Sequence, residues 1–309
     1  MDERIVRRLK LRDLHTLQAV VQCGSMAKAA AHLALTQPAI SKAMAEIEHT
    51  LGVPLLDRSP RGVTPTAYGE ALLRRGLAIF DELREGVKEI EFLSDPTAGE
   101  VRLGTTEPAT AFLASVINRL NRQYPRIVFH VTAGDTGKLY RELRERNIEL
   151  VITRMAGPKP EDDMHAEILF QDPLVVVAAK QSPWCRRRRI ELADLMDEPW
   201  TILTPDTFMM PFIVEAFRAK NLQLPHVTVV TTSLHMRINL VSTGRFLGIA
   251  ASFMLRLPAP HPVLRALPID LPSTVRPIGV LTLKKRVLSP LGKLFIETAL
   301  AVAKPLTCR

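Results

Sequence analysis

Apolar residues along this chain keep a helical period for about its first third and then shift to alternating strand and helix patterns. From Leu11 to Cys23, the positions Leu14, Leu17, Val20 and Val21 recur at helical spacing. A second, short helix follows Gly24. Ser25 is its expected N-cap, and Met26, Ala27, Ala30, Ala31 and Leu33 offer small apolar contacts. Thr36 is the expected N-cap of a third helix, with Pro38 in the first turn, where a missing N–H costs nothing. In that helix Ile40, Met44, Ile47 and Leu51 mark one buried face, and Gly52 suits the left-handed position that ends it. Two helices joined by so few residues must turn sharply. The pair reads as a helix-turn-helix, whose second helix can lie in the DNA major groove.

Val53 to Thr66 is broken by Pro54, Pro60, Gly62 and Pro65. Ala67 to Leu93 then reads as one long helix with an apolar stripe of Ala71, Leu72, Ile79, Leu83, Val87, Ile90 and Leu93. One small domain cannot cover such a stripe, so a second copy of the chain is the expected partner; folding back onto a downstream domain is the alternative. The turn formers from Ser94 to Gly99 mark a domain boundary. Strands are expected at 101–104, 127–132, 150–153, 174–179, 200–203, 227–230, 247–250 and 275–283. Helical segments are expected at 110–124, 138–146, 192–196, 212–221, 234–243 and 290–303. Alternation of this kind implies a mainly parallel α/β sheet.

The polar face of the third helix adds chemistry. Gln37, Ser41 and Lys42 sit in its first turns, where glutamine can pair with adenine, serine with several groups, and lysine with guanine or phosphate. The segment resembles the DNA-binding end of the LysR-type transcriptional regulators. The resemblance rests on Leu14, Leu17, Val20, Gly24-Ser25, Ala29-Ala30-Ala31, Leu33, Thr36 to Ser41, Ile47-Glu48 and Leu51-Gly52. It continues through Pro54 to Arg58, Arg61 to Val63, Thr66 and Gly69. Met26, Leu56 and Pro65 replace an aromatic, a phenylalanine and a leucine that are usual in the family; all three are apolar, so they bear on packing. The implied DNA-binding set is Ser25, Thr36, Gln37, Pro38, Ser41 and Lys42, with Arg58 and Arg61 on a wing suited to phosphates or a narrow minor groove.

The resemblance implies a winged helix-turn-helix at 1–66, a linker and dimerisation helix at 67–94, and an effector-binding domain at 95–309. The last is expected to be a two-lobed α/β, periplasmic-binding-protein-like fold, with lobe I at about 99–170 and 273–303 and lobe II at about 171–272. A homodimer or homotetramer on double-stranded promoter DNA follows, with RNA polymerase as a further partner. Lobe closure on a small-molecule effector would change the spacing of the DNA-reading heads. Ligands of open α/β sheets sit beyond strand carboxyl ends, near helix N-termini. That rule selects the loops holding Thr105, Thr106 and Thr110; Asp135 and Thr136; Thr204 and Phe208; and Ser233, His235 and Arg237. Hydroxyls with a nearby arginine suit a carboxylate, although each hydroxyl taken singly is as well read as a cap.

Composition narrows the alternatives. The chain has 309 residues, 47% hydrophobic and 24% charged, which fits a soluble protein of several domains. Arg4, Arg7, Arg8 and Lys10 interrupt any leader-like apolar run, so a cytoplasmic protein with no membrane span is expected. The net charge of +9 suits a polyanionic partner, but residues 1–66 hold only nine Lys/Arg against six Asp/Glu, so charge supports DNA binding weakly. Arg186 to Arg189 reads as a solvated loop. Cys23, Cys185 and Cys308 are too scattered for a disulfide framework, a zinc site or a redox switch. No catalytic motif is present, so no enzyme and no cofactor beyond the effector are expected. A solute-binding protein or α/β enzyme with a helical N-terminal appendage is the alternative reading; the missing leader argues against the first and the missing motif against the second.

Overall fold

The computed structural model describes residues 8–60, 62–155, 157, 160–257 and 263–307. It forms two compact units that divide after Val87. In the first, α1 (Leu11–Cys23), α2 (Met26–His32) and α3 (Gln37–Leu51) precede an antiparallel hairpin of β1 (Leu56–Ser59) and β2 (Gly62–Pro65) and the long helix α4 (Ala67–Ser94). Leu17, Val20, Met26, Ala29, Ala30, Ile40, Met44, Ile47, Leu55 and Leu56 make the core. Burial of Met26, Ala29 and Ala30 leaves Ala27 and Ala31 on the solvent side of a helix with 3.6 residues per turn; the expectation that these two pack inward is corrected.

Loop positions explain the glycines of the sequence pattern. Gly52 ends α3 with φ 71°, a left-handed cap whose N–H donates to the Glu48 carbonyl. Gly69 is in the first turn of α4, where a Cβ would collide with the Leu55 carbonyl oxygen, so no larger residue fits without moving the hairpin entry. Thr66 fastens the same junction. Its hydroxyl donates to the Pro54 carbonyl at 2.7 Å and accepts from the Gly69 N–H at 3.1 Å.

The second unit holds two five-stranded sheets. The first lobe contains β3 (Ala98–Thr105), α5 (Thr110–Gln123), β4 (Arg126–Ala133), α6 (Thr136–Arg144), β5 (Leu150–Arg154) and β6 (Met164–Asp172). The second contains β7 (Leu174–Ala179), β8 (Trp200–Ile202), α7 (Met210–Arg218), β9 (Val227–Val230), α8 (Leu234–Ser242), β10 (Leu247–Ala251) and β11 (Leu264–Ala266). The chain then returns to the first sheet as β12 (Arg276–Leu283) and ends in α9 (Pro290–Thr307). Strand order is β4-β3-β5-β12-β6 in one lobe and β11-β7-β10-β8-β9 in the other.

The expected mainly parallel sheet is corrected to a mixed one. β3 pairs parallel with β4 and β5, and β8 with β9 and β10. β12 is antiparallel to β5 and β6, and β7 to β10 and β11. Two of the antiparallel strands, β6 and β11, are absent from the sequence expectation. The first crossover lies just past Asp172, two residues beyond the expected 170, because β6 carries the lobe I sheet that far.

The lobes share packing at this crossover. Phe170 packs at a tilt on Phe112 of the first lobe, ring centroids 5.3 Å apart, and meets Phe253, just after β10, at 5.5 Å. Beside them Asp172, fully buried, collects the Arg154 guanidinium, the Ser252 and Phe253 amides at 3.1 and 2.8 Å, and Arg256 at 3.2 Å. Arg154 is itself buried, and desolvation pushes its pKa down while Asp172 opposes the shift. Cys23 and Cys185 are free thiols; Cys308 lies outside the described residues.

Candidate DNA-binding surface and effector cleft

The first unit separates folding from reading on one helix. In α3, Ile40, Met44 and Ile47 are buried, whereas Gln37, Pro38 and Lys42 are exposed and Ser41 half-exposed. Ser25 and Thr36 stand at the N-caps of α2 and α3 with extended backbone, yet neither hydroxyl makes a capping hydrogen bond among the described residues. Lys42 meets Glu46 at 3.9 Å with both side chains exposed, a pairing too weak in water to hold the ammonium back from a phosphate. Arg58 is on β1, half exposed, 3.8 Å from Glu48. Arg61 lies outside the described residues.

Glu48 is a positioning residue whose role the sequence did not disclose. Its Oε1 accepts the Leu55 and Leu56 amides at 2.8 and 3.2 Å, and its Oε2 faces Arg58. One carboxylate of α3 thereby fixes the start of the hairpin and the guanidinium on it. The hairpin also docks on the turn between α1 and α2, since the Val63 N–H donates to the Gly24 carbonyl at 2.9 Å.

On α4, exposure grows along the apolar stripe. Ile79 is 42% exposed, Leu83 51%, Val87 56% and Ile90 66%. These positions are three or four residues apart, so they form one exposed apolar helix face.

In the second unit the predicted effector residues divide into two groups. Thr105 ends β3 and Thr106 follows it. Thr106 Oγ1 lies 3.3 Å from Thr153 Oγ1 at the end of β5, and the Thr110 hydroxyl turns back to the Thr106 carbonyl at 3.4 Å. In the other lobe the Thr231 N–H donates to the Ile202 carbonyl at 3.1 Å, which places the loops after β8 and β9 together. Thr204, in the first of those loops, has a buried hydroxyl with no partner among the described residues. Ser233 caps α8 by accepting the Met236 amide at 3.2 Å. The exposed His235 meets Asn239 at 3.0 Å.

Arg237 is 6% exposed. One guanidinium N–H donates to the Ile249 carbonyl at 3.0 Å, and Nε lacks a partner among the described residues. Burial pushes its pKa down to about 10, and Glu107 opposes the shift. Glu107 joins the lobes directly. From the loop after β3 its carboxylate accepts the Leu234 N–H at 2.8 Å and the His235 N–H at 3.4 Å, at the start of α8.

The loop after β4 is tied to the first of these groups, since the Gly134 N–H donates to the Thr105 carbonyl at 3.2 Å and Asp135 and Thr136 follow it. Asp135 is the N-cap of α6, accepting the Lys138 N–H at 2.8 Å, and that hydrogen bond holds its carboxyl below the usual range. Phe208 is 40% exposed. In this unit sequence reasoning gave no role to Glu107, although it lies in the selected loop after β3, nor to Thr153 and Asp172; each is hydrogen-bonded to a partner far away in the chain.

The chain matches the family model described as "Bacterial regulatory helix-turn-helix protein, lysR family" over residues 11–70. It matches "LysR substrate binding domain" over residues 94–304. It is 29% identical over 283 residues to the uncharacterized HTH-type transcriptional regulator YybE of Bacillus subtilis (strain 168), covering 91% of this chain and 95% of that one. It is 29% identical over 286 residues to the HTH-type transcriptional regulator GbpR of Azospirillum brasilense, covering 92% and 83%. In fold it is similar to a full-length OxyR variant from Pseudomonas aeruginosa, with TM-score 0.66, 20% identity and coverage of 96% and 95%. A structure of full-length CbnR complexed with its target DNA gives TM-score 0.55 at 20% identity, covering 96% and 100%. With one model matching the DNA-binding unit and the other more than half of the chain, this protein belongs to the LysR family of DNA-binding transcriptional regulators and is not an enzyme.

Proposed function

We propose that this regulator reads promoter DNA with the exposed face of α3, as a homodimer or homotetramer closed over the α4 stripe, under control of a small carboxylate held between the lobes. The observation that carries the DNA reading is the division of α3. Ile40, Met44 and Ile47 are engaged in the core, so Gln37, Ser41 and Lys42 are left for a partner. A dimer places two such helices on one palindrome. The exposed run from Ile79 to Ile90 supports a second copy, since burying one Leu or Ile side chain is worth about 1.5–3 kcal/mol. The hydroxyls of Thr106, Thr204 and Ser233, in the loops that follow β3, β8 and β9, together with the buried Arg237 of α8, support a carboxylate input.

A gel shift with the promoter fragment beside the protein's own gene tests the reading. A sequence-selective shift that weakens steeply with salt is expected, because counterions leave the DNA on binding. No selective shift on any promoter fragment would remove the assignment of α3. For the input, Ser233→Ala and Thr106→Ala should blunt ligand-dependent promoter output while leaving DNA affinity unchanged. Unaltered output in both variants would move the pocket elsewhere.

A further inference from the structure

The start of α8 already holds an anion. The Leu234 and His235 amides point at the Glu107 carboxylate, and the Met236 amide at the Ser233 hydroxyl. One turn on along the same helix is Arg237, more than nine-tenths buried, with one guanidinium N–H on the Ile249 carbonyl, Nε unpartnered among the described residues, and its charged form favoured by Glu107. A helix terminus, an adjacent buried cation and a seated carboxylate together make a site for an anionic oxygen pair. The seated carboxylate belongs to the opposite lobe.

We infer that Glu107 is an internal stand-in for a carboxylate ligand, filling the anion position of α8 in the free chain and leaving it when the effector's carboxylate enters. The inference rests on the cleft reading above. The exchange is chemically even, since one carboxylate replaces another on the same two amides. Glu107 is an exposed residue, so it is already largely hydrated and its release is unhindered by packing around it. An intramolecular competitor acts at an effective concentration in the millimolar range for a short flexible tether. A carboxylate bringing nothing but its two oxygens is therefore rejected at ordinary concentrations. An effector must add contacts to the neighbouring hydroxyls, which makes Glu107 a selectivity filter. The exchange also swaps a protein-made bridge between the lobes for a ligand-made one, and that difference is what a regulator can transmit.

The test is chemical rescue in the full-length protein. Thermal unfolding is followed against sodium acetate, with sodium chloride holding ionic strength constant. Glu107→Ala is expected to unfold earlier than the native protein and to be restored by acetate saturably, with an apparent affinity tighter than the native protein's by about tenfold or more. Equal acetate dependence in the two proteins, or a response in the variant that chloride reproduces, overturns the inference. If Glu107→Ala does not fold, Glu107→Gln keeps the side-chain length without the charge. Its acetate affinity should still exceed the native one, and equality again overturns the proposal. Rescue by acetate with no effect of Ser233→Ala and Thr106→Ala on promoter output would sink the cleft reading and leave the anion site standing. The opposite pattern would remove Glu107 from the mechanism and leave the cleft.

Discussion

Two helices of this regulator, α3 in the first unit and α8 in the second, begin in polar surroundings with a hydroxyl residue at the N-cap. Thr36 at α3 has the extended backbone of a cap, but its hydroxyl makes no capping bond among the described residues, and the residues after it face solvent. Ser233 at α8 does close the cap, and Glu107 takes the Leu234 and His235 amides that follow it. Both termini carry the same partial positive charge. The open one suits a partner that arrives from outside as a dense row of phosphates. The filled one suits a ligand that must compete, so that binding changes something in the protein.

The strongest way to break this contrast is to loosen the lobes and so empty the α8 terminus. Asp172→Ala leaves Arg154, 4% exposed, without its carboxylate and removes the acceptor for the Ser252 and Phe253 amides. Losing one partner of a buried pair costs about 3–5 kcal/mol. Calorimetry should show the transition of the second unit falling while that of the first is unmoved. A loss under about 1 kcal/mol would mean that the shared aromatic packing, and not Asp172, holds the lobes.

Next in size is the reading face. Gln37→Ala should relax base preference by about 1–3 kcal/mol at one position, whereas Arg58→Ala should weaken all sequences alike and lower the salt slope by about one. Binding measured on matched and mismatched sites at two salt concentrations separates them. If Gln37→Ala weakens every site equally, Gln37 is a phosphate contact and α3 reads bases through other side chains.

How much of this was legible in the sequence depends on the range of each signal. The bounds of α1 and α3 follow from local chemistry, with Gly24 and Gly52 ending them, and they are found where the pattern puts them. Strand direction is not local. β12 returns from the second lobe, more than a hundred residues after β6, to pair with β5 and β6, which no alternation of strand and helix discloses. β6 was missed because MHAEILFQD carries charged and polar residues through an edge strand, and β11 because three residues make no period. The loops after the strands were found by rule, yet Glu107, within one of them, went unassigned. Its partners, Leu234 and His235, are in the other lobe, and a carboxylate before a proline reads as an ordinary turn.

The smallest expected effects probe the contrast at its source. Ser233→Ala removes an acceptor that α8 uses, so it should lower the stability of the second unit by about 1 kcal/mol. Thr36→Ala removes a hydroxyl that α3 does not use for capping, so its change should stay within about 0.5 kcal/mol. The two variants nevertheless exchange ranks when DNA is added. If the Thr36 hydroxyl is left for a phosphate, Thr36→Ala binds promoter DNA more weakly than the native protein, and Ser233→Ala without effector binds it equally well. Chemical denaturation and a binding titration on the same preparations decide the matter. A Thr36→Ala protein as destabilised as Ser233→Ala would show that α3 is capped in solution after all, and the distinction between an open and a filled terminus would fail.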